Sequence, residues 1–170
     1  VLTGIMHSAE GRRRLASAGI PVVETWDLTP TPIDMLVGFS HVEVGRAVAH
    51  YLQAKGHRRL GVVSGDDERA RRRSEAFAEA AHLLGLPEVQ MAFVPTPTTL
   101  QRGRDGLAEL LRKRRKLDAV FCSSDLLALG VSTEARVRGL AMPEQLAVVG
   151  FGDLEFAAAL EPALTSVRIN

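Results

Sequence analysis

The sequence predicts an α/β fold of parallel sheets covered by helices, and three observations predict it. Short apolar runs of strand length recur along the chain, nearly continuous rather than alternating, as strands buried on both faces require. Between most of them lie stretches with apolar residues three and four apart, which put one helical face on a sheet. Glycines follow those stretches where a left-handed residue closes a helix.

In chain order, Gly19 and Pro21 end a first helix and Val22-Val23 begins a strand. Pro30 and Pro32 mark an extended loop before the strand Met35–Phe39. Val44, Ala47, Val48, Tyr51 and Leu52 form one helical stripe, closed by Gly56, and the strand Leu60–Val63 follows. A helix from Arg71 ends at Gly85 and Pro87, then comes the strand Met91–Val94. Leu107, Leu110 and Leu111 mark the next helix and Ala119–Cys122 the next strand. Ser123-Ser124-Asp125 sets an oxygen-bearing side chain where the helix at Leu126–Leu129 needs a cap. Gly139 and Pro143 close that helix before the strand Leu146–Phe151.

At 170 residues, with 46% hydrophobic and 24% charged positions, the chain closes one ordinary core or two small ones, which excludes disorder. Lys+Arg 21 against Asp+Glu 20 gives a formal charge of +1, so any polyanion binding is local. One cysteine, Cys122, excludes an internal disulfide framework. No apolar run approaches the roughly 20 residues of a membrane span. A cytoplasmic, reducing compartment is the expectation, with no membrane partner. The opening Val1-Leu2-Thr3-Gly4 has neither initiator Met nor signal peptide, which points to a piece of something longer.

Neither Gly-rich phosphate motif occurs, His7, His41, His50, His57 and His82 lack metal-ligand spacing, and Val63-Ser64-Gly65 is not a full nucleophile elbow. No catalytic group, metal or cofactor is expected. The run Arg112-Lys113-Arg114-Arg115-Lys116 reads either as a phosphate-contacting patch or as cations at the negative end of a helix. Arg71-Arg72-Arg73, after Ser64-Gly65-Asp66-Asp67-Glu68, reads as the start of a helix. There it serves an anion or polyol site beyond the strand ends, or pairs with Asp66, Asp67 and Glu68.

The order of motifs resembles the effector-binding core of the lactose-repressor/galactose-repressor (LacI/GalR) family of bacterial transcription regulators. Six segments carry the resemblance: Ile20-Pro21-Val22-Val23; Val44-Gly45 through Gly56-His57-Arg58-Arg59 to Val63; Arg71 to Phe77; Ala119 through Ser123-Ser124-Asp125 to Gly130; Pro143 to Phe151; and Pro162 to Arg168. Val23-Glu24-Thr25-Trp26-Asp27 and Val37-Gly38-Phe39 look most like the gluconate-operon repressor branch. The resemblance implies a periplasmic-binding-protein-like architecture of two doubly wound parallel-sheet lobes, the first incomplete. Residues 1–57 would form the partial N-terminal lobe with its crossing helix, and residues 58–170 the C-terminal lobe. It also implies a sugar or sugar-acid effector in the cleft between lobes, a homodimer, and DNA binding through a helix-turn-helix outside this chain.

For the site, the resemblance makes Arg73, four residues before Phe77, the effector-gripping arginine, with Arg71 beside it. A guanidinium fork suits a carboxylate or paired hydroxyls. Phe39 falls where the family lines the cleft, or packs in the core. Ser124 replaces a ligand-binding Asn, or caps its helix, and for Asp125 the cap is the preferred reading over ligand contact. Gly152 stands where the family has a ligand-binding Asp, and Trp26, a ligand-binding candidate or simply a core residue, stands where a strand often ends in Asp; Asp153 and Asp27, one residue along, restore the carboxylates if they face the ligand. Loss of negative charge favours a sugar acid over a neutral sugar. Leu126, Leu127, Leu129, Val131, Leu154, Phe156 and Leu160 exceed one sheet-facing stripe, so part of this set points to a partner surface. The alternatives are a transport-type periplasmic sugar binder and an α/β enzyme.

Overall fold

The apolar runs become parallel strands, and those at the centre of the larger sheet are the most deeply buried. The computed structural model describes residues 1–5, 7–112 and 116–170. The chain divides into two units, Val1–His41 and Val42–Asn170. Lys113, Arg114 and Arg115, the centre of the basic run, lie outside the described residues; Arg112 closes its helix, where a cation meets the negative end of the dipole.

In the first unit, β1 (Leu2–Thr3), β2 (Val23–Thr25) and β3 (Met35–Val37) form a parallel sheet in that order. α1 (Ala9–Ser17) is capped by Ser8, whose Oγ accepts from the Gly11 amide at 3.0 Å. Glu24, in the middle of β2, is fully buried. It accepts from the Ile33 amide at 2.7 Å and stands 3.2 Å from His7 Nε2 and 3.6 Å from an Arg12 nitrogen.

α2 (His41–Ala54) begins at the boundary and belongs, apart from His41, to the second unit, although the sequence places it with residues 1–57. The second unit continues with β4 (Leu60–Gly65), α3 (Glu68–Leu83), β5 (Gln90–Val94), α4 (Leu100–Arg112) and β6 (Ala119–Cys122). It ends with α5 (Asp125–Val137), β7 (Ala147–Phe151), α6 (Glu155–Ala159) and β8 (Thr165–Val167). All five strands are parallel, in the order β5-β4-β6-β7-β8, and every residue of β4 and β6 is buried.

Alternate residues of the central strands serve two cores. Val63, Val120 and Cys122 pack with Leu107 and Leu110 of α4 and Leu127, Ala128 and Val131 of α5. On the other face Phe77 of α3 meets Phe121 at a ring separation of 5.3 Å, both fully buried, each contributing about 1.5–3 kcal/mol. Leu127 and Val131 are therefore the core-facing part of the apolar set; Leu126 and Leu129 stay partly exposed and Leu154 is half-exposed. Burial drives the Cys122 thiol pKa far up, with the Asp125 charge adding to it, so the thiol stays protonated and inert.

The four glycines expected to close helices, Gly19, Gly56, Gly85 and Gly139, all have positive φ. β2 runs one residue later than the expected strand start at Val22, and β3 stops at Val37 rather than Phe39. β1, β8 and α6 are too short for periodicity to announce.

α4 and α5 cross at a pair of glycines. A Cβ added at Gly103 would stand 2.3 Å from the Leu127 carbonyl oxygen, and one at Gly130 would stand 2.1 Å from that of Leu100. Gly130→Ala should therefore destabilise the chain by roughly 1–3 kcal/mol, read as a lower urea midpoint, because both obstructing atoms are backbone.

The same helix pair carries Glu134, which accepts from Arg138 Nε at 2.8 Å and from Arg104 Nε of α4 at 3.1 Å. The Arg138 bond, and next the Arg104 bond, hold its carboxyl below the usual carboxylate range. A lowered folded-state pKa gives stability that is present above the unfolded value and lost as pH falls through the folded one. The difference in urea midpoint between the wild type and Glu134→Gln should thus be full at neutral pH and shrink below about pH 4.

Candidate functional site

The strand order reverses between β4 and β6: from β4 the chain steps to β5 on one side, then returns to lay β6 on the other. In doubly wound sheets ligands bind outside the carboxyl ends of the strands at such a point. Here the Gly65 amide at the end of β4 donates to the Ser123 Oγ just beyond β6, at 2.9 Å. Arg73 projects to the same place. Its Nη2 donates to the Ser123 carbonyl at 3.0 Å, and its guanidinium carbon lies 4.0 Å from the centre of the Phe151 ring at the end of β7. The residue is 6% exposed, so it does not point into bulk solvent.

The helix phase explains why Arg73 and not its neighbours takes this position. α3 begins at Glu68, capped by Asp67, whose Oδ1 accepts from the Ala70 amide at 3.0 Å. The arginines are thus in the second turn, which corrects their placement at the helix start: the acidic residues occupy the positive end of the dipole. Arg73 shares a face with Phe77, one turn on, and Phe77 is anchored in the core. Arg71 turns outward. Its Nε is 2.5 Å from Asp66 Oδ1, its guanidinium covers Phe93 at 4.3 Å, and the Asp66 bond raises its pKa. Arg72 binds Glu68 at 2.7 Å. The salt-bridge reading therefore holds for Arg71 and Arg72, while Arg73 alone of the three is buried.

Ser124 is the cap of α5, its Oγ accepting from the Leu127 amide at 3.3 Å. Asp125 is not the cap, contrary to the preferred sequence reading, because its side chain turns toward the segment after β7. It is fully buried, Oδ2 accepts from the Leu154 amide at 2.7 Å, and Oδ1 accepts from Ser166 Oγ at 2.6 Å. Gly150 makes room for it, since a Cβ there would stand 2.2 Å from Oδ1. Asp153 donates its amide to Ser166 Oγ at 2.9 Å, and its Oδ2 accepts from Arg168 Nε at 2.5 Å.

In the first unit, Trp26 directly follows β2 and Phe39 lies two residues beyond β3. Their rings meet edge-to-face at 5.9 Å, and Phe39 meets the His41 ring at 4.8 Å. Asp27 is buried and its Oδ1 accepts from the Leu28 amide at 2.8 Å.

Arg73, Ser124, Asp125 and Asp153 thus share the carboxyl ends of the second unit's strands, and Trp26 and Phe39 share those of the first. The sequence reading missed Ser123, Phe151, Ser166 and His41 as site-building groups. All but His41 stood inside the segments that carry the resemblance, but Ser166 lies 41 positions from the carboxylate it binds, so no local pattern announces that pairing. Among the described residues no group of three or more His, Cys, Asp or Glu is arranged to hold a metal ion, and no helix is long and apolar enough to cross a membrane.

Comparison with known proteins agrees with this fold. Residues 49–170 match the periplasmic binding protein-like domain. The HTH-type transcriptional regulator GntR of Pseudomonas aeruginosa is 35% identical over 170 residues, 99% of this chain and 50% of the relative. GntR of Escherichia coli K12 is 30% identical over 168 residues, 98% of this chain and 50% of the relative. The chain spans about half the length of these curated relatives. Among solved structures, the transcription regulator GntR of Chromobacterium violaceum superposes with a TM-score of 0.91 at 34% identity, covering 98% of this chain and 62% of that one. A LacI family transcriptional regulator of Silicibacter pomeroyi does so at 0.90 and 30%, covering 99% and 64%. With its parallel sheets, its switch-point arginine and these likenesses, the chain belongs to the periplasmic binding protein-like domain family, in the form carried by LacI-type transcriptional regulators.

Proposed function

We propose that the chain is the effector-binding core of a cytoplasmic, homodimeric transcriptional regulator, and that its effector is a sugar acid of the gluconate type. The observation that carries this reading is Arg73, a buried guanidinium at the strand-order reversal, already oriented by the Ser123 carbonyl and the Phe151 ring. A planar fork of donors in that position suits a carboxylate. Of the nearby acids, Asp153 is matched by Arg168, and the Asp125 oxygens are turned to the Leu154 amide and Ser166. Gly152 adds no carboxylate where the family resemblance expects one.

The protein acts without turnover. The effector binds one conformation of the whole protein better than another and shifts the population between them, which changes the DNA affinity of a helix-turn-helix outside these residues. The relatives' names, all transcriptional regulators, support this over the transport-protein and enzyme alternatives.

Calorimetric titration tests the ligand class. Gluconate should bind and glucose should bind more weakly; equal or stronger glucose binding defeats the proposal. Arg73→Lys keeps the charge but not the fork, and should weaken gluconate by roughly 10- to 100-fold, the equivalent of about 1.5–3 kcal/mol. For the assembly, the partly exposed Leu126, Leu129, Leu154, Phe156 and Leu160 support a second copy as partner. Light scattering of the full-length protein at micromolar concentration should give a dimer mass, and a monomer mass would refute it.

A further inference from the structure

Among the described residues, two other than glycine hold a positive φ: Trp26 at 67° and Asp153 at 52°. Asp153 has a short side chain of the kind that tolerates this region, and its amide and carboxylate are both bound. Trp26 is different. A bulky side chain sits in a backbone region it avoids, 46% exposed, immediately after a parallel strand. Such a conformation persists only where the surroundings over-determine it, and it clusters at ligand-holding sites.

The surroundings here are specific. His41, the first residue of α2, lies 3.0 Å through Nε2 from the Trp26 carbonyl oxygen; a carbonyl only accepts, so Nε2–H donates. The His41 ring is 2% exposed and packs edge-to-face on Phe39, which in turn packs edge-to-face on the indole. On the other side, Gly38 lets the turn close: a Cβ there would stand 1.9 Å from the Asp27 carbonyl oxygen. The backbone on both sides of the Trp26–Asp27 link is therefore fixed by groups that make no use of the indole's exposed part.

We propose that His41 is a positioning residue: by donating to the Trp26 carbonyl it holds Trp26 in the left-handed conformation that presents its indole as a platform for the C–H face of a polyol effector. The electron-rich face of an indole attracts C–H groups, and stacking fixes the carbon chain of a polyol. The ligand in this inference rests on the sugar-acid reading above; the hold of His41 on Trp26 rests on geometry alone.

Trp26 is the single tryptophan, so the fluorescence of the 170-residue chain reports that side chain. Without ligand, His41→Ala should shift the emission maximum and change acrylamide quenching, and His41→Gln, which keeps a donor of similar reach, should return both toward wild type. A purely structural histidine would instead lower the thermal midpoint and leave the emission of the folded variant unmoved. Trp26→Gly provides the second variant: glycine fits the backbone without strain, so the thermal midpoint should hold or rise while gluconate affinity falls roughly tenfold. Wild-type emission in folded His41→Ala, or wild-type gluconate affinity in Trp26→Gly, overturns the proposal. Should the wild type fail to bind gluconate while the emission shift is present, the sugar-acid reading and the platform role fall, and the hold of His41 on Trp26 stands.

Discussion

The burial of one guanidinium at the junction of three strands is the constraint on which the second unit's site depends. Removing a cation from water costs several kcal/mol unless its surroundings replace the lost solvation. Around Arg73 the replacements include the Ser123 carbonyl and the face of Phe151, both at carboxyl ends of strands. Their places follow from sheet register: Phe121 pairs with Val62 on one side and Val149 on the other. A slip of one residue in β7 would turn Phe151 to the opposite face and leave the guanidinium without its aromatic cover. Sheet packing and site geometry are thus one arrangement, set by the Phe77–Phe121 contact one helical turn from Arg73.

A second buried charge is handled differently. Asp125 sits in the space left by Gly150 and ties α5 to the segment after β7 and to β8. Ser166 passes the interaction on, donating its hydroxyl to Asp125 and accepting the Asp153 amide. This chain of bonds supports a non-glycine residue at positive φ, a conformation that costs on the order of 1–3 kcal/mol on its own. The Asp125 carboxylate, for which the linear motif suggests a cap or a ligand contact, thus braces the backbone beside the site.

The fold was legible where burial and periodicity are long enough to register. β4 and β6 are continuous apolar runs, and the helix-closing glycines appear where the stripes end. Two- and three-residue strands such as β1 and β8 carry no period, and they exist because a neighbouring strand offers a ladder. Within the site, the pattern Arg73-x-x-x-Phe77 was the most informative local feature, since i and i+4 share a helix face and Phe77 belongs to the core. What it lacked was phase: three consecutive arginines look alike until the Asp67 cap fixes where the helix begins. Asp125 and Ser166 were illegible for another reason, because their pairing joins two elements that only the sheet brings together.

Charge placement, rather than charge total, decides what the carboxyl ends of these strands can recognise. The sequence sum of +1 reads as neutral, yet Arg73 is buried while Arg71 and Arg72 are matched by Asp66 and Glu68 on the surface. Matched pairs in solvent contribute little to stability and less to ligand choice, being screened. A buried guanidinium in a polar crevice is screened far less, so its preference for an anion is felt over the short distances at which a ligand docks. The nearby carboxylates are held by Arg168, Ser166 and backbone amides. On the proposed sugar-acid reading, discrimination between an acid and its neutral sugar falls chiefly on one side chain whose position the core already dictates.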